Sequence, residues 1–378
     1  MLDLAIAGGG PAGLAVAIRA AQAGLSAAVL ERAAGTPDKA CGEGLMPAGV
    51  RELATLGALE AIPASSRRAF AGIRYVQEDG GAVEARFRGG EGLGIRRTAL
   101  SAALAGRALA LGAELRRCAV RSFRALPDRV VVDTGEGAVE ARLLVAADGI
   151  QSPLRRAAGL ASAGEGLRRY GLRRHFAAAP WSDFVEVHWA RGLECYVTPV
   201  GPSCVNVAFL WEGEATAPAQ GEKAADAGRE RAERTSFAAL LARFPRVAEH
   251  LAGAAVESEA RGSGPLLRGV RARAGERLAL VGDAAGYVDA ITGQGLSLAF
   301  AGARLLVLAL PRPLGEAPLS EALRRYDRSL RVAWLRYALP ARGLLALARR
   351  PRLRRRTLSF LQHAPRLFGA LLEAVAAG

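Results

Sequence analysis

The feature that most constrains the fold is a cluster of glycines between an apolar strand and an alanine-rich helix near the N-terminus. The stretch reads IAGGGPAGLAVAIRAAQAGLSAAVLER, from Ile6 to Arg32. Alternating apolar residues before the glycines predict a buried strand, and the run after Pro11 predicts a helix that ends near Gly24. A second apolar strand ends at Glu31 and completes a βαβ unit. In such a unit, free N–H groups at the start of the helix attract the diphosphate of a dinucleotide.

The glycines and the acidic residue of this motif have separate predicted roles. Gly8 permits the tight turn, Gly10 lets the backbone approach the diphosphate, and Gly13 lets the helix pack closely on the strand. Glu31 is placed to accept hydrogen bonds from the hydroxyls of a ribose. A glycine-rich turn without a ligand is the alternative interpretation, and the complete strand, helix and strand around the glycines argue against it.

Length and composition indicate a globular chain with more than one domain. The 378 residues, 51% of them apolar, are enough for roughly two to three domains. No uncharged apolar run reaches about 18 residues, and no basic stretch precedes the first strand, which predicts a cytoplasmic protein without a membrane span or signal peptide. The four cysteines, Cys41, Cys118, Cys195 and Cys204, include no C-x-x-C pair. We therefore expect reduced thiols and no metal site.

The formal net charge of +15 needs a separate explanation. All but two of the 51 basic residues are arginines, the exceptions being Lys39 and Lys223. This bias, together with abundant alanine, is typical of a GC-rich coding sequence. Because no basic patch is interleaved with aromatic residues, we expect no nucleic-acid partner.

Further along the chain, strand-rich blocks interrupt the dinucleotide-binding pattern. Alternating apolar and polar residues around Asp79-Gly80-Gly81 predict a β-hairpin, and Tyr170 to Trp211 is mostly strand-like. The stretch RLALVG and a long helix from Gly295 then return to the α/β pattern. The predicted domains are a discontinuous dinucleotide-binding domain (1–68, 96–165 and 263–340), an inserted antiparallel-sheet substrate domain (69–95 and 166–262) and a helical C-terminal extension (341–378).

Two later motifs identify the dinucleotide. They are AADGIQSPLR, from Ala146 to Arg155, and RLALVGDAAGYVDAITGQGLSLAF, from Arg277 to Phe300. With the glycine motif they resemble the three motifs of the superfamily of FAD-dependent monooxygenases, geranylgeranyl reductases and flavin-dependent halogenases. The resemblance covers essentially the whole chain. It implies a doubly wound, Rossmann-like α/β domain that binds FAD, with NAD(P)H as a transient reductant.

The resemblance also implies which residues hold FAD. Asp283 would accept a hydrogen bond from the ribityl chain, and Arg97 matches an arginine that reaches the phosphate or ribityl region. Ser152 and Arg155 stand at the hydroxyl and basic positions of the second motif. The predicted cofactor-binding residues are Gly8, Gly10, Pro11, Ala12, Gly13, Glu31, Arg32, Cys41, Gly42, Arg97, Val120, Asp148, Gly149, Gly282, Asp283, Gly293, Gly295 and Leu296.

The motifs leave the reaction open. GYVDAITGQG replaces the His-x-x-Pro-Pro of aromatic hydroxylases, and KACGEGLMP resembles the reductases, in which a cysteine lies near the flavin ring. Cys41 is therefore a candidate catalytic residue, with a small buried loop residue as the alternative. Tyr196, a second candidate, lies where the reductases carry Tyr-x-Trp-x-Phe, but no tryptophan follows it. The tryptophan motif and catalytic lysine of halogenases are also missing.

Weighing these departures, we predict NAD(P)H-driven monooxygenation of an aromatic or lipophilic intermediate of secondary metabolism. Alkene reduction is the runner-up; a halogenase or a non-catalytic flavin-binding partner protein are the lesser alternatives. His175 and His188 are candidate acids or bases, unless they are simply hydrogen-bonded within the sheet. The candidate walls of the substrate pocket, which could instead be sheet core, are Trp181, Phe184, His188, Trp189, Tyr196, Phe209 and Trp211.

The C-terminal tail is rich in arginine and has apolar residues at helical spacing. It reads ALARRPRLRRRTLSFLQHAPRLFGALLEAVAAG. This pattern predicts weak peripheral contact with an anionic membrane, at its inner face, which would suit a lipophilic substrate. A helix packed on the FAD domain with solvated arginines is the alternative.

Overall fold

The computed structural model of the chain describes residues 1–162, 168–213, 236–314 and 318–376, built around two large β-sheets. The strands are β1 (Leu2–Ala7), β2 (Ala27–Leu30), β3 (Gly44–Leu45), β4 (Arg67–Phe70), β5 (Gly72–Val76), β6 (Ala82–Arg86), β7 (Gly92–Ile95), β8 (Glu114–Arg116), β9 (Ser122–Ala125), β10 (Val130–Asp133), β11 (Ala138–Ala146), β12 (Arg169–Ala177), β13 (Phe184–Ala190), β14 (Leu193–Gly201), β15 (Cys204–Glu212), β16 (Ala255–Val256), β17 (Arg261–Ser263) and β18 (Leu278–Leu280). The helices are α1 (Pro11–Gln22), α2 (Pro47–Leu56), α3 (Arg97–Ala110), α4 (Pro153–Ala157), α5 (Phe237–Leu241), α6 (Pro245–His250), α7 (Gly295–Ala309), α8 (Leu319–Ala348), α9 (Pro351–His363) and α10 (Pro365–Ala376).

The first sheet has the strand order β8-β2-β1-β11-β10-β9, with β18 also paired to β11. Strands β8, β2, β1, β11 and β18 are parallel, and β10 and β9 extend the sheet in antiparallel fashion. Helix α1 crosses from β1 to β2 and packs against α3 and α7. This architecture confirms the predicted α/β class with a Rossmann-like domain.

The parallel strands explain where the motifs meet. β2 is buried along its whole length and β1 over its last four residues, as expected for strands covered on both faces. In register, Ala7 lies beside both Leu30 and Ala146, and Ala146 lies beside Leu280. The chain segments that follow these four strands therefore emerge at one edge of the sheet, which is where α/β folds bind ligands.

The second sheet has the order β16-β12-β15-β14-β13-β5-β6, with β17 paired to β12. It is antiparallel except for the parallel pair of β13 and β5. The predicted hairpin around Asp79-Gly80-Gly81 is confirmed, since β5 pairs with β6 from Val76 opposite Ala82. A small third sheet, β3-β7-β4, has strands on either side of this hairpin in the sequence. The sheet memberships follow the predicted insertion, but the exact domain limits stay a prediction, and residues 163–167 and 214–235 lie outside the described ranges.

The second sheet has two differently used faces. Its outer face packs against α5 and α6 through an apolar cluster that includes Val207, Phe209 and Phe237. Along each strand, every second side chain points to the inner face instead. There, an apolar cluster joins Val187 and Trp189 to side chains of α9 and α10. This alternation decides which side chains of the sheet can reach the first domain.

The C-terminal helices begin earlier than predicted. Helix α8 continues through Pro340 to Ala348, so the predicted boundary at residue 341 falls inside a single helix. Helices α9 and α10 then pack on β6. Of the helices in the described ranges, none is both long and apolar enough to cross a membrane.

Candidate active site

The glycine motif forms the tight strand-to-helix turn that its sequence predicts. Gly8 has a φ of 109°, and a Cβ on it would lie 2.4 Å from the carbonyl oxygen of Ala147. A Cβ on Gly13 would lie 2.0 Å from the carbonyl oxygen of Gly8. Gly10 is extended and precedes Pro11, the first residue of α1. Only glycine fits at positions 8 and 13, and the turn leaves the start of α1 open to a phosphate.

Glu31 joins the end of β2 to the glycine loop. Its Oε2 accepts a hydrogen bond from the Gly9 N–H at 2.7 Å, and its Oε1 accepts one from the Ala33 N–H at 2.8 Å. A carboxylate oxygen has two lone pairs, so each oxygen retains one for a further donor. Glu31 can therefore position the loop and still accept ribose hydroxyls.

Asp148 follows β11 at the same edge. Its Oδ2 accepts a hydrogen bond from the Leu154 N–H at 3.3 Å, whereas its buried Oδ1 has no partner among the described residues. Burial raises the pKa of Asp148, although its hydrogen bonds and Arg155 oppose this change. An orphaned buried oxygen next to Gly8 fits a ligand that donates hydrogen bonds.

Arg155 ties the second motif to the third. Its guanidinium donates to the carbonyl oxygens of Ile150 at 2.7 Å, Ala284 at 3.0 Å and Asp283 at 3.3 Å. Ser152 caps α4 by accepting a hydrogen bond from the Arg155 N–H at 3.0 Å. These two residues of the second motif thus hold the backbone of the third motif in place.

Asp283 and Arg97 face the glycine loop with free hydrogen-bonding capacity. The Asp283 carboxylate is half-buried and accepts no hydrogen bond from the described residues. Burial raises its pKa, while Arg97, Lys39 and Arg155 act to lower it. The Arg97 Nη2 lies 3.8 Å from the place of a Cβ on Gly10, and its buried Nε has no partner in the described ranges. Acceptors and donors around one loop fit a ligand with hydroxyls and phosphates, as FAD has.

Of the other glycines of the third motif, Gly282 contacts the glycine loop, whereas Gly293 and Gly295 lie at the start of α7. A Cβ on Gly282 would lie 2.7 Å from the Cβ of Ala12, so the third motif touches the start of α1. Gly293 comes just before α7 and lies against Met46, while Gly295 is the first residue of that helix. The structure thus brings these predicted residues together, although their roles toward FAD stay predictions.

Four predicted cofactor residues have weaker connections to the loop. Val120 lies between β8 and β9, and Leu296 lies in α7; both are half-buried against the core of the first sheet. Arg32 is exposed, and a Cβ on Gly42 would have open space around it. Their assignments rest on the sequence resemblance alone.

Residues 38–43, which we call the Cys41 loop, are held by the inner face of the second sheet. The Asn206 amide donates to the Cys41 carbonyl oxygen at 2.9 Å, and Arg173 pairs with Asp38. His175 Nε2 lies 2.6 Å from Glu43 Oε2. These anchors were missed in the sequence, although polar residues alternate along β12 at the positions that face inward.

Glu43 connects the Cys41 loop to the cofactor site. Its Oε1 accepts a hydrogen bond from the Arg97 N–H at 2.7 Å. Its φ of 60° is uncommon for a residue with a side chain, which indicates that the loop is held in a specific conformation.

Cys41 lies inside this loop with its thiol half-buried. Its Sγ accepts a hydrogen bond from the Glu43 N–H at 3.3 Å. Burial raises the pKa of the thiol, and Arg97 opposes the rise. The thiol therefore keeps its proton at neutral pH beside a guanidinium.

Tyr196 belongs to a buried charge cluster on the inner face. Its hydroxyl donates to Glu194 at 2.8 Å, and Arg169 donates to the same carboxylate at 2.9 Å. Arg169 also pairs with Asp289 in the third motif, at 2.8 Å. Burial raises the pKa of Asp289 to about 6, an effect that Arg169 reduces and Glu194 increases. A catalytic role for Tyr196 stays a prediction.

The predicted aromatic wall is divided between the two faces, so its seven members do not line one pocket. Trp189 and Tyr196 belong to the inner-face cluster. The others lie on the outer side, because side chains alternate along a strand; they are Trp181, Phe184, His188, Phe209 and Trp211. Their packing against α5, α6 or neighbouring polar groups makes them sheet core.

The two histidines considered as acids or bases are both hydrogen-bonded within the protein. His175 contacts Glu43 through Nε2 and the Ser258 hydroxyl through Nδ1, at 2.6 Å and 2.9 Å. His188 Nε2 lies 3.0 Å from Glu186 on the outer face. His175 therefore positions the Cys41 loop, and His188 lies on the side of the sheet away from that loop.

The comparisons with known proteins agree with this geometry. The sequence profile of the FAD binding domain family matches residues 1–335. Digeranylgeranylglycerophospholipid reductase 1 of Methanopyrus kandleri is 30% identical over 312 residues, which cover 79% of this chain and 77% of that protein. Menaquinone reductase of Mycobacterium tuberculosis H37Rv is 28% identical over 353 residues, or 88% and 82% of the two chains.

Solved structures show the same fold. The flavin-dependent brominase Bmp2 aligns with a TM-score of 0.81 at 15% identity, over 99% of this chain and 93% of that one. The OxyS anhydrotetracycline hydroxylase from Streptomyces rimosus aligns with a TM-score of 0.74 at 23% identity, over 100% and 76%. At these identities the likeness concerns the fold alone.

The chain belongs to the FAD binding domain family, and the predicted superfamily is confirmed. It is an FAD-dependent oxidoreductase. The relatives include reductases, and the structural neighbours include halogenases and hydroxylases, so the family alone does not choose among these reactions.

Proposed function

We propose that this protein reduces a carbon–carbon double bond in a lipophilic, isoprenoid-like substrate, with NAD(P)H as the source of electrons. The observation that carries the proposal is the position of the Cys41 thiol, in a loop that Asn206 of the second sheet anchors and that Glu43 connects to Arg97. Both curated relatives described above are named reductases, one of a digeranylgeranyl phospholipid and one of menaquinone. We place this reaction ahead of the monooxygenation that the motifs favoured.

To reduce an alkene, one carbon must receive a hydride equivalent, which is a hydrogen with two electrons, and the other carbon must receive a proton. Bound FAD supplies the two-electron redox chemistry, and NAD(P)H replenishes it. The chain's own part is the proton. The Cys41 Sγ–H bond breaks as the proton passes to the substrate carbon, and the resulting thiolate is stabilised by the Arg97 guanidinium. A proton from solvent then restores the thiol.

Each anchor of the Cys41 loop contributes to this step by positioning. The hydrogen bond from Asn206 to the Cys41 carbonyl oxygen limits movement of the loop toward or away from the cofactor site. Glu43 connects the loop to the first residue of α3, which is Arg97 itself. The thiol and the guanidinium are therefore held relative to each other by a short run of contacts.

Substitution of Cys41 tests the proposal. Cys41→Ser keeps the size of the side chain but replaces the thiol with a much weaker acid, so we expect turnover to fall about 10²-fold or more. The rate at which NAD(P)H bleaches the flavin should stay close to that of the native protein. Cys195→Ser, in a buried cysteine on the outer face of the second sheet, is the matched control. Full turnover of Cys41→Ser would contradict the assignment of the proton to this thiol.

Monooxygenation stays the second candidate because Tyr196 lacks the tryptophan found two residues later in the prenyl reductases. The two reactions differ in their need for oxygen. A reductase should add two hydrogens to the substrate under anaerobic conditions at the aerobic rate, whereas a monooxygenase should consume O₂ and leave one of its atoms in the product. Mass spectrometry of the product after turnover in ¹⁸O₂ separates the two.

We also propose that the protein contacts anionic membranes through its C-terminal helices, where a lipophilic substrate would be available. The proposal is supported by large apolar side chains that are exposed along α8, α9 and α10. They are Val332, Leu335, Leu339, Leu353, Phe360, Leu367 and Leu371. They repeat at helical spacing and are interleaved with arginines, a pattern that suits the headgroup region of a bilayer.

A further inference from the structure

A cavity rich in arginine lies between the second sheet and the junction of α8 and α9. Its volume is about 750 Å³, which is large enough for a small ligand. The turn between β13 and β14 forms one wall, and residues 348–355 form the other. We call it the arginine cavity.

The arginine cavity has a strong excess of positive charge. Seven arginines and three glutamates line it. Glu194 pairs with Arg169 at 2.9 Å, and Glu212 pairs with Arg349 at 2.6 Å. The remaining glutamate, Glu78, is 3.9 Å from Arg354. The carboxylates therefore neutralise less than half of the arginines that surround the space.

Four of the lining arginines have no carboxylate within 4 Å among the residues that the structure describes. One is in the sheet turn, and three are at the start of α9; they are Arg191, Arg350, Arg352 and Arg355. Helix α9 is 13 residues long, and its first turn adds the positive end of a helix dipole to the same place. Charges of one sign that converge on a concave surface attract a counter-ion of the other sign.

Arg354 is a buried arginine that lines the same cavity. Its side chain is only 2% exposed, and it lies over the Trp189 ring at 5.1 Å. Its hydrogen bonds to the described residues amount to one, from Nη1 to the Ala348 carbonyl oxygen at 3.3 Å, and its Nε has none. A guanidinium has five N–H donors, and a buried donor such as this Nε that lacks a partner costs free energy.

We propose that the arginine cavity is a binding site for a phosphate or diphosphate ester group, with Arg354 as its buried donor. The planar guanidinium matches the spacing of phosphate oxygens and can donate two parallel hydrogen bonds. Arg350 and Arg352 at the rim would complete the neutralisation of a group with two or three negative charges. This inference does not depend on the proposed reaction.

The cavity also adjoins the candidate active site. Arg169 and Glu194 line it and at the same time contact Asp289 and Tyr196. The phosphate group could belong to a lipophilic substrate or arrive as a free anion. In either case the chemistry recognised in the cavity is the same.

Calorimetric titration of the full chain with FAD bound tests this site without an activity assay. The probes are inorganic diphosphate, geranyl diphosphate and geraniol, the neutral alcohol with the same chain. We expect both diphosphates to bind, and the double variant Arg350→Gln/Arg352→Gln to weaken their binding about tenfold or more. These two side chains are exposed, so the variant should fold. Arg342→Gln, an exposed arginine of α8 that does not line the cavity, should change the affinity by less than about twofold.

The outcomes separate the source of the phosphate from the existence of the site. Tighter binding of geranyl diphosphate than of inorganic diphosphate would indicate a lipid-linked group, and equal binding would indicate a free anion. Both results support the site. Three results would each overturn the proposal. The first is that neither diphosphate binds, and the second is that the double variant and Arg342→Gln lose equal affinity. The third is that geraniol binds as tightly as geranyl diphosphate. Arg354→Gln, if it folds, should lose binding most completely.

Discussion

At the scale of single residues, the cofactor site is marked by polar atoms that the protein leaves without partners. The Asp283 carboxylate accepts no hydrogen bond from the described residues, and one oxygen of Asp148 and the Nε of Arg97 are orphaned in the same region. Buried polar atoms in native proteins almost always find a partner. Ribityl hydroxyls and phosphates of FAD would supply the missing ones.

Asp283→Ala should therefore impair retention of FAD. Loss of the acceptor leaves hydroxyl groups of the cofactor without partners, which costs about 1–3 kcal/mol, equivalent to about five- to 150-fold in affinity. The FAD content of purified protein, measured from its visible absorbance, checks this expectation. Asp128→Ala, at an exposed aspartate, should retain full FAD content, and equal content in the two variants would remove Asp283 from the site.

Glu186, on the outer face of the second sheet, is a buried carboxylate whose lowered pKa makes the stability of the protein depend on pH. Burial alone would raise its pKa, but His188, Trp181 and Arg74 all hydrogen-bond to the carboxylate and lower the pKa from 4.5 to about 2. The folded state therefore binds this proton less tightly than the unfolded chain does. The stabilisation is fully present above pH 4.5 and is lost as the pH falls toward 2.

Glu186→Gln should accordingly lower the stability at neutral pH by about 2–3 kcal/mol. The difference from the native protein should shrink as the pH falls from about 5 to about 2, because both proteins then carry a neutral side chain. Unfolding by denaturant over this pH range measures it. Glu84→Gln removes the exposed partner of the same Arg74 and should cost less than about 1 kcal/mol. A difference between Glu186→Gln and the native protein that does not vary with pH would contradict the lowered pKa.

At the scale of elements, the C-terminal helices have one side packed on the second sheet and large apolar side chains that stay exposed. One side of α9 and α10 packs on the second sheet through Leu358, Leu361 and Phe368. Large apolar side chains are exposed elsewhere on the C-terminal helices, among them Leu339 in α8 and Phe360 in α9, which are 65% and 61% exposed. The packing of the tail on the second sheet is therefore observed, and the proposed membrane contact would use the exposed apolar residues.

The double variant Leu339→Glu/Phe360→Glu should lose binding to vesicles that contain anionic lipid. Burial of each native side chain in the bilayer is worth about 1.5–3 kcal/mol, so the bound fraction should fall about tenfold or more. Cosedimentation with anionic and with neutral vesicles measures it. Leu109→Glu changes an exposed leucine of α3 and serves as the control. If native binding is equal on both types of vesicle and insensitive to salt, the membrane proposal fails.

At the scale of the whole molecule, the candidate active site forms where the Cys41 loop connects the first domain to the inner face of the second sheet. The first sheet contributes the glycine loop, Glu31 and Asp283. The inner face of the second sheet contributes Asn206 and His175, which hold the Cys41 loop against the first domain. Cys41 and Asn206 are 165 residues apart in the sequence, so the position of the thiol depends on the docking of one domain on the other.

Patterns within a few residues were enough to predict the first domain and its motifs. The glycine loop, the βαβ unit and the hairpin at Asp79-Gly80-Gly81 depend on turn geometry and on the alternation of apolar residues. The edge at which the motifs meet follows from parallel strands that end together. Alternation also explains why the aromatic residues of β13, β14 and β15 do not line one pocket, because it divides them between the two faces of the sheet.

The sequence by itself therefore determined the fold class, the cofactor family and the residues around the glycine loop, because their chemistry is local. Only the tertiary structure decided what surrounds Cys41, why Tyr196 is tied to Arg169 through Glu194, and where the arginines of α9 converge. Each of these arrangements pairs side chains from distant segments, such as Arg169 with Asp289, 120 residues away. Such pairs form only when complete elements pack together, and no short stretch of sequence carries a signal for them.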